Sequence, residues 1–599
     1  MKKKYILSVL LAAAMFFTAC GQGNSSGGDT AATKANNEAT EKEEKTDSKD
    51  TTAKEDTPSA GDIPTSGKID FPLDEPVTLT AFVLHAQAIV DMTDNYITEL
   101  IREETNITLD FKHSVAGDDG KTKLNLLMAS DDLPDIFLRT GWSKAEALLY
   151  GSQGLIIPIQ DYLKDAELWN SYNIEWPARL PDLIMTDGNI YNYGGASGEN
   201  HGNYHARMWV YKPWIDSLMD GKMPETIDEY YEFLTKVKNE DPNGNGQADE
   251  IPLSGSIAAG QWATDPTTFL LNSFLQTNTH ISNTNPTFNP FMVNDGTIEF
   301  QFTKDAYRDG LAFLNKLYKE GLMDSQIFTQ DGTQLTALAS GDVPRLASAS
   351  GGYFGSFMNA ASFNEEKIDG TWDSWALLSP LKGPDGVQYS YYQLTNYFGN
   401  GWVSRSCENP NLAVQLFDFM TTPDLTIAQQ YGPKDIGWEF VDGGTGVDGG
   451  TATWRRILAE KFTEAGEPDW GLGYAQNVWP SDINIGALGL FKAHELVERP
   501  EVNLEYILYQ ALTEYAKYRP ELDSMVPNFA FSEDQAREIS EFMVSIGSYC
   551  IQARVQFITG DLSIENDWDS YLQKLDDVNL ERFIQIYQEA YDAYAASQN

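Results

Sequence analysis

Between Asp241 and Glu250 the chain reads DPNGNGQADE. Side-chain oxygens recur at Asp241, Asn243 and Asn245, Gly246 permits a sharp turn, Gln247 can offer its backbone carbonyl, and Asp249 and Glu250 complete the set. Hard Ca²⁺ takes about six to eight oxygens at about 2.3–2.6 Å, and alternate positions of a tight loop deliver them. The twelfth position is Pro252, not the glutamate of an EF-hand, so Glu250 has to supply that carboxylate from the tenth. The spacing predicts a structural calcium loop. The plain alternative is an Asn/Gly turn between a helix ending near Glu240 and the segment at Ile251.

A second set of residues suits a different chemistry. The chain holds 14 Trp, 29 Tyr and 29 Phe, 12% of its residues. Broad aromatic faces fit the apolar C–H faces of sugar rings, while Asp, Glu, Asn, Gln and Arg fit the hydroxyl rim. Such use requires aromatics on loops in a cleft. Those at strand ends or in irregular segments are Trp142, Trp209, Trp262, Tyr353, Phe354, Tyr391, Tyr392, Trp402 and Trp438, with Glu439 beside the last. Large aromatics are also the usual filling of cores, so position alone singles these out. His85 and Gln87 follow the first predicted strand, Arg139 follows a later one, and Gly351-Gly352 precede Tyr353-Phe354 where backbone can approach a ligand closely.

Signals for catalysis are weak. His494-Glu495 lacks the second histidine of a zinc-protease helix, no P-loop or nucleophile-elbow motif occurs, and the six histidines are not at zinc spacing. With 42 basic against 88 acidic residues, the formal charge is −46, which argues against a nucleic-acid partner and favours neutral ligands over polyanions. Arg139, Arg207, Lys212, Arg345 and Lys434 lie near the candidate segments and could still take a uronate or sulfate. Cys20, Cys407 and Cys550 are too few for a disulfide scaffold, and whether the last two pair is open.

The elements that carry these residues begin after an export signal. Lys2 to Lys4 precede an apolar run from Ile6 to Phe17, too short to span a bilayer as a helix. Phe17-Thr18-Ala19-Cys20-Gly21 resembles the lipobox of bacterial lipoproteins, which implies lipidation of Cys20 and residues 1–20 as a signal peptide. Acyl chains at about 0.8 kcal/mol per buried methylene would hold the chain at a membrane without a spanning helix. Residues 21–67 have no aromatic residue and little aliphatic surface, so they are expected to be a disordered tether with an r.m.s. reach of about 35–40 Å.

The body alternates strands and helices. Val77–Leu84, a helix over Asn95–Glu104, Ile107–His113, a helix over Lys121–Ser130 and a strand within Leu133–Leu138 read as an α/β opening with a largely parallel sheet, whose ligands sit at the carboxyl ends of its strands. Arg345–Ser348 reads as a further strand. Val502–Arg519, Ser532–Thr559 and Asn579–Ala596 carry long helical periods.

The segments LNLLMASDDLPDIF (Leu124–Phe137), GLIIPIQDYL (Gly154–Leu163), MPETIDEYYEFL (Met223–Leu234), DPNGNGQADEIPL (Asp241–Leu253) and FITGDLSIENDWDSY (Phe557–Tyr571), in this order, resemble the family 1 extracellular solute-binding proteins. These are sugar-capturing lipoproteins of ATP-driven importers in Gram-positive bacteria. The resemblance implies a two-lobe α/β fold of the periplasmic-binding-protein type (class II), with a hinge and a helical C-terminal region. It implies lobe 1 over 68–193 with 391–435, and lobe 2 over 194–389 with 436–599. It also implies an oligosaccharide held between the lobes of a monomer, delivery to the transmembrane subunits of an ABC permease, and calcium away from the sugar. Within the family pattern, Trp142 and Trp438 take cleft positions, beside Tyr353-Phe354 chosen from the glycines around them, and Trp142 and Trp438 are each expected to contribute about 1–3 kcal/mol to binding. A surface glycoside hydrolase, an adhesive lipoprotein, and a binder of anionic oligosaccharide or peptide remain as alternatives. Release of reducing sugar would mark the first, a rigid body in scattering the second.

Overall fold

β1 (Val77–Val83) is a run of β-branched and apolar residues that pairs in parallel with β2 (Ile107–Asp110) on one side and β3 (Ile136–Arg139) on the other. The helix Tyr96–Thr105 makes the crossover from β1 to β2. Asn95 caps its start, and Asn106 ends it in the left-handed conformation at φ 60°. The computed structural model describes residues 63–597, apart from 86–90, 112–113, 115–116, 196–197, 258–261, 281–287, 341–342, 353–355, 357–373, 396, 458–487 and 501–502. The signal with Cys20, nearly all of the tether, Gln87, Tyr353 and Phe354 therefore lie outside the described residues. Among the described residues no helix is long and apolar enough to cross a membrane.

The parallel sheet is only part of the architecture. β9 (Asn400–Val403) returns from far along the chain and closes the first sheet antiparallel to β3, giving the order β2-β1-β3-β9. A second sheet, of β7 (Ser348–Ser350), β4 (Met208–Tyr211) and β8 (Trp375–Leu378), is antiparallel throughout. The expected strand at Arg345–Ser348 thus begins three residues later. Hairpins β5–β6 (Phe291–Asn294, Thr297–Phe300) and β10–β11 (Trp438–Phe440, Trp454–Arg456) complete the strands among the described residues. The tail helix expected over Ser532–Thr559 is interrupted: Glu533–Phe542 and Ser548–Thr559 flank a π-turn at Met543–Gly547.

Two cores flank the chain's crossings. The first gathers Ile97, Leu109, Ile136 and Trp169 with Leu412, Phe417 and Leu425. The second gathers Tyr230, Phe233, Leu270, Leu314, Phe557 and Phe583. The helix Ile227–Glu240 shows why this half forms: Ile227, Tyr230, Phe233, Leu234 and Val237 recur at helical spacing and are all buried. Two details differ from the expected boundaries. Tyr392 packs in the second core, so the return crossing comes after Leu394, near Tyr397. Trp438 and Trp454 pack on Ile427 and Tyr431, whose helix Pro423–Tyr431 also feeds the first core, so this hairpin sits with the first half.

The outgoing and returning passages lie side by side. Tyr193 N donates to Gly401 O (2.7 Å), Gly194 N to Asn400 O (2.9 Å) and Gly195 N to Tyr397 O (2.7 Å). Gly194, at φ 76°, cannot be replaced without strain, because a Cβ there would lie 2.6 Å from Leu183 Cδ2 and 2.8 Å from Tyr397 O. Arg179, fully buried, donates to Gly195 O (2.8 Å) and Tyr193 O (2.7 Å). Three residues on, Asp182 Oδ2 accepts from Tyr397 N (2.9 Å), so the short helix Arg179–Leu183 grips both passages.

A third passage carries a partly buried ion pair. Lys492 Nζ lies 2.7 Å from Glu505 Oε1, and His201 Nε2 lies 3.5 Å from Glu505 Oε2. Burial pushes the Glu505 carboxyl upward, but Lys492 and then His201 outweigh it and hold the group well below the usual carboxylate range. A carboxylate lowered by folding stabilises fully above its ordinary value of 4.5, and the contribution drains away as pH falls toward the folded value. Glu505→Gln removes the carboxylate from the partly buried Lys492 and is expected to cost about 1.5–3 kcal/mol at pH 7 by chemical denaturation. It should also flatten the acid limb of the stability profile. An acid limb as steep as that of the parent protein would show that this pair does not set it.

Candidate ligand-binding site

A cavity of about 520 Å³ opens between the two halves. One wall comes from the loop after β3 and the start of the helix Lys144–Ser152, which a Ser143–Glu146 capping box begins. The facing wall comes from Asn278 and Asn289, the return passage Tyr391–Leu394, and the segment Met525–Phe531 with one face of the helix Glu533–Phe542. Aromatic rings stand on both sides: Trp142 and Phe398, against Tyr391, Phe529 and Phe531.

Trp142 is the expected residue that the structure sets most clearly at this cavity. Its ring is braced by Phe137 (5.1 Å between centroids), Tyr150 (5.0 Å) and Trp402 (5.2 Å), so it is held as a rigid face. Its Nε1 is buried with no hydrogen-bond partner. Tyr391 also lines the cavity and leans on His205 at 4.6 Å. Trp262 stands behind it, 5.7 Å from His205, and Gly352 is required there because a Cβ would collide with the indole. Trp402 is fully buried beneath Trp142 and spends its Nε1 on Gly399 O (3.3 Å).

Other expected residues are not brought to the cavity. Trp438 is walled in by Ile427, Tyr431 and Trp454, donates its Nε1 to Gly432 O (3.0 Å), and lines no part of it. Glu439 is held by Arg455 (2.6 Å). Trp209 is a core residue whose Nε1 donates to Gly351 O (2.9 Å), and Tyr392 packs on Tyr204 at 4.9 Å. His85 is buried at the end of β1, and the Arg139 guanidinium reaches Leu84 O (3.4 Å). Trp438 and Trp142 share composition and loop context; only the contacts of each ring separate core from cleft.

Several lining residues were not singled out. Lys144, Asn278 and Gln393 carry no local motif. The segment MVPNFAF at Met525–Phe531 could have been found, because it is an aromatic irregular stretch between helices, the same signal that pointed to Tyr353. Histidines far apart in sequence also meet: His205 lies 5.4 Å from His280 and shares Trp262 with His201. Burial, reinforced by His280, pushes the His205 imidazole down to about 3, so it stays neutral at ordinary pH.

The loop at Asp241 is shaped by its own polar groups. Asp241 is left-handed at φ 47°, as are Gly244 and Gly246 at 70° and 74°. Gly246 N donates to Asp241 Oδ2 (3.0 Å), Asn245 N to Asn243 Oδ1 (2.9 Å) and Gln247 N to Asn245 Oδ1 (2.7 Å). Asn243 and Asn245 donate their amides to Asp249 Oδ1 (3.1 and 3.0 Å), and Arg345 pairs with Asp249 (3.2 Å). Among the described residues no group of three or more His, Cys, Asp and Glu converges as a metal site. Asp241 Oδ1 and Glu250 Oε1 are nevertheless buried with no hydrogen-bond partner, and carboxamide oxygens that accept one N–H keep a second lone pair. The donor set fits a hard cation, and none of it lines the cavity.

These placements separate the two tryptophans experimentally. Trp438→Ala should lower unfolding free energy by about 3–5 kcal/mol by opening a core void, with little effect on ligand affinity in the folded fraction. Trp142→Ala should weaken affinity by about 1–3 kcal/mol. Denaturant titration beside calorimetric binding distinguishes them; loss of affinity confined to Trp438→Ala would reverse the assignment.

Residues 91–427 match the family of bacterial extracellular solute-binding proteins. The chain is similar to the fructooligosaccharide ABC transporter substrate-binding protein FusA of Streptococcus pneumoniae, 24% identical over 548 residues, covering 89% of this chain and 93% of that protein. FusA solved with kestose superposes with a TM-score of 0.63 at 20% identity over 87% of this chain and 100% of that one, and FusA has also been solved as an EF-hand mutant with fructo-nystose. An extracellular solute-binding protein of Bifidobacterium longum subsp. infantis gives a TM-score of 0.71 at 18% identity over 87% and 98%. The polygalacturonan/rhamnogalacturonan-binding protein YtcQ of Bacillus subtilis is 23% identical over 316 residues, 51% of this chain and 55% of that protein. These neighbours share the two-lobe α/β fold of periplasmic binding proteins, and the chain belongs to the bacterial extracellular solute-binding protein family.

Proposed function

We propose that this protein captures an oligosaccharide in the cavity between its halves and delivers it to the transmembrane subunits of an ABC importer. The observation that carries this reading is the cavity itself: a tryptophan braced by other aromatic rings on one wall, and tyrosine, phenylalanine and amide groups on the other. Rings of that kind cover C–H faces, and neutral polar groups take hydroxyls. The fructooligosaccharide that FusA is named for supports the same chemistry.

Ligand can favour closure only through contacts made in the closed state and missing in the open one. Sugar bound to Trp142 and to Asn278 or Tyr391 touches both halves and so rewards their approach. The two halves divide at the paired passages near Tyr193–Gly195 and Tyr397–Gly401, which serve as the hinge. Cys20 serves as the lipid anchor, the tether from 21 to 67 sets the reach from the outer face of the membrane, and the protein binds as a monomer without turning its ligand over.

Calcium fills the loop from Asp241 to Glu250, with the orphaned oxygens of Asp241 and Glu250 as its carboxylate ligands and Asn243, Asn245 and the Gln247 carbonyl beside them. Its role there is to neutralise buried charge and fix the loop between the helix Ile227–Glu240 and the strand contact Ile251–Leu346. A cation that binds only the folded chain raises stability by about 2.7 kcal/mol at a hundredfold excess over its Kd. Thermal unfolding should therefore shift upward with Ca²⁺ and downward with chelator, and Asp241→Asn should abolish the shift. An unfolding curve blind to both additions would reduce the loop to a turn.

Calorimetry against a glycan panel, with small-angle scattering on each binder, tests capture itself. Expected is at least one oligosaccharide that binds and reduces the radius of gyration. Steady release of reducing sugar, or no binding by any glycan, would overturn the reading.

A further inference from the structure

We infer that the cleft selects uncharged oligosaccharides, and that the ion pair between Lys144 and Asp182 is the residue pair that sets this selectivity. The inference rests on the carbohydrate reading above. Among the described residues the cavity lining contains no Asp, Glu, Arg or His, and Lys144 is its one charged side chain. That charge is already committed. Lys144 Nζ lies 2.7 Å from Asp182 Oδ1 and donates to Asn528 O at 2.6 Å, while standing 5.7 Å from the Phe398 ring. Both side chains are largely buried, 14% and 8% exposed, so solvent screens the pair little. Asp182 is itself fixed, because its other oxygen accepts from Tyr397 N.

The cavity wall at Lys144 therefore has a local charge of zero. A uronate or sulfate entering it would be stripped of water with no free cation to meet it, which is costly. The cations that could have served are engaged elsewhere and none lines the cavity. Arg207 is buried and donates to Gly352 O and His201 O; Lys212 pairs with Asp216, Arg345 with Asp249, and Lys434 lies over Phe440 at 4.4 Å. The rest of the lining is neutral. Apart from Lys144, its polar side chains include Ser143, Asn278, Asn289, Gln393, Asn528 and Ser540, all hydroxyls and amides. Such groups donate to and accept from sugar hydroxyls without charge, and an amide is neutral whichever way its O and N are assigned.

The test uses charge arithmetic at one position in the full chain. A neutral trisaccharide that binds, chosen from a panel including kestose and maltotriose, is compared by calorimetry with the same sugar carrying one primary alcohol oxidised to a carboxylate, and trigalacturonate is run beside them. The parent protein should bind the acid at least a hundredfold more weakly than the neutral sugar. Asp182→Asn, which keeps an acceptor for Tyr397 N but leaves Lys144 unbalanced, should shrink that ratio to tenfold or less. Lys144→Met should widen it. The double variant restores zero charge and should return the parent ratio, which guards against a misfolded single variant. Equal affinity of the parent for acid and neutral forms, binding of trigalacturonate alone, or an acid-to-neutral ratio unchanged by Asp182→Asn would overturn the inference while leaving the carbohydrate reading in place. No binding by any saccharide would overturn both.

Discussion

A buried guanidinium holding main-chain carbonyls is the contact on which the rest of this structure depends. Where a chain passes from one core to another, its backbone groups lie inside the protein and must all be paired. Arg179 meets that demand for the outgoing passage. It donates to the carbonyls of Tyr193 and Gly195 and to Asn173, between the faces of Trp169 (5.1 Å) and Tyr193 (5.7 Å). Burial pulls its own pKa down to about 10, the mark of a cation taken out of water for a structural purpose. One turn later Asp182 takes the returning passage and, through Lys144, the segment at Asn528. One short helix thereby positions both cavity walls.

How far this was legible in the sequence depended on how local each signal was. The first sheet could be read because β1, the helix that follows it and β2 come one after another in order. β9 could not, because its partner β3 lies more than 250 residues earlier and nothing in NGWV names it. The second sheet failed for the same reason: its strands are three or four residues long and scattered between 208 and 378. The tight turn at Asp241 was legible because the polar groups that shape it fall within ten residues. Trp142 was placed by its position after a strand, while Trp438, chosen by the same logic, is a core residue. Lys144 gave no signal at all, since its meaning comes from Asp182 and from a carbonyl 384 residues away.

The chain's large negative charge and its cleft act at different ranges. A formal charge of −46 is felt outside the surface and fades over about 8 Å at physiological salt. Inside the cavity the governing quantity is which groups are unspent after the protein has paired its own. Among the described residues the one lining cation, Lys144, is paired with Asp182 and the other polar groups are hydroxyls and amides, so the interior is more neutral than the exterior suggests.

The π-turn at Met543–Gly547 has a geometric role of its own. Before it, Ala536, Ile539 and Ser540 line the cavity, while Ile539 and Phe542 also pack against the second core; after it, Cys550, Ala553 and Phe557 lie within that core. At about 100° per residue, one extra residue in the ladder rotates everything downstream onto a new side. Rod length, more than residue identity, is thus the conserved quantity to look for at this point. Among homologues, an indel in that turn should be rarer than any substitution, since shortening by one would dephase either the cavity-facing edge or the hydrophobic seam.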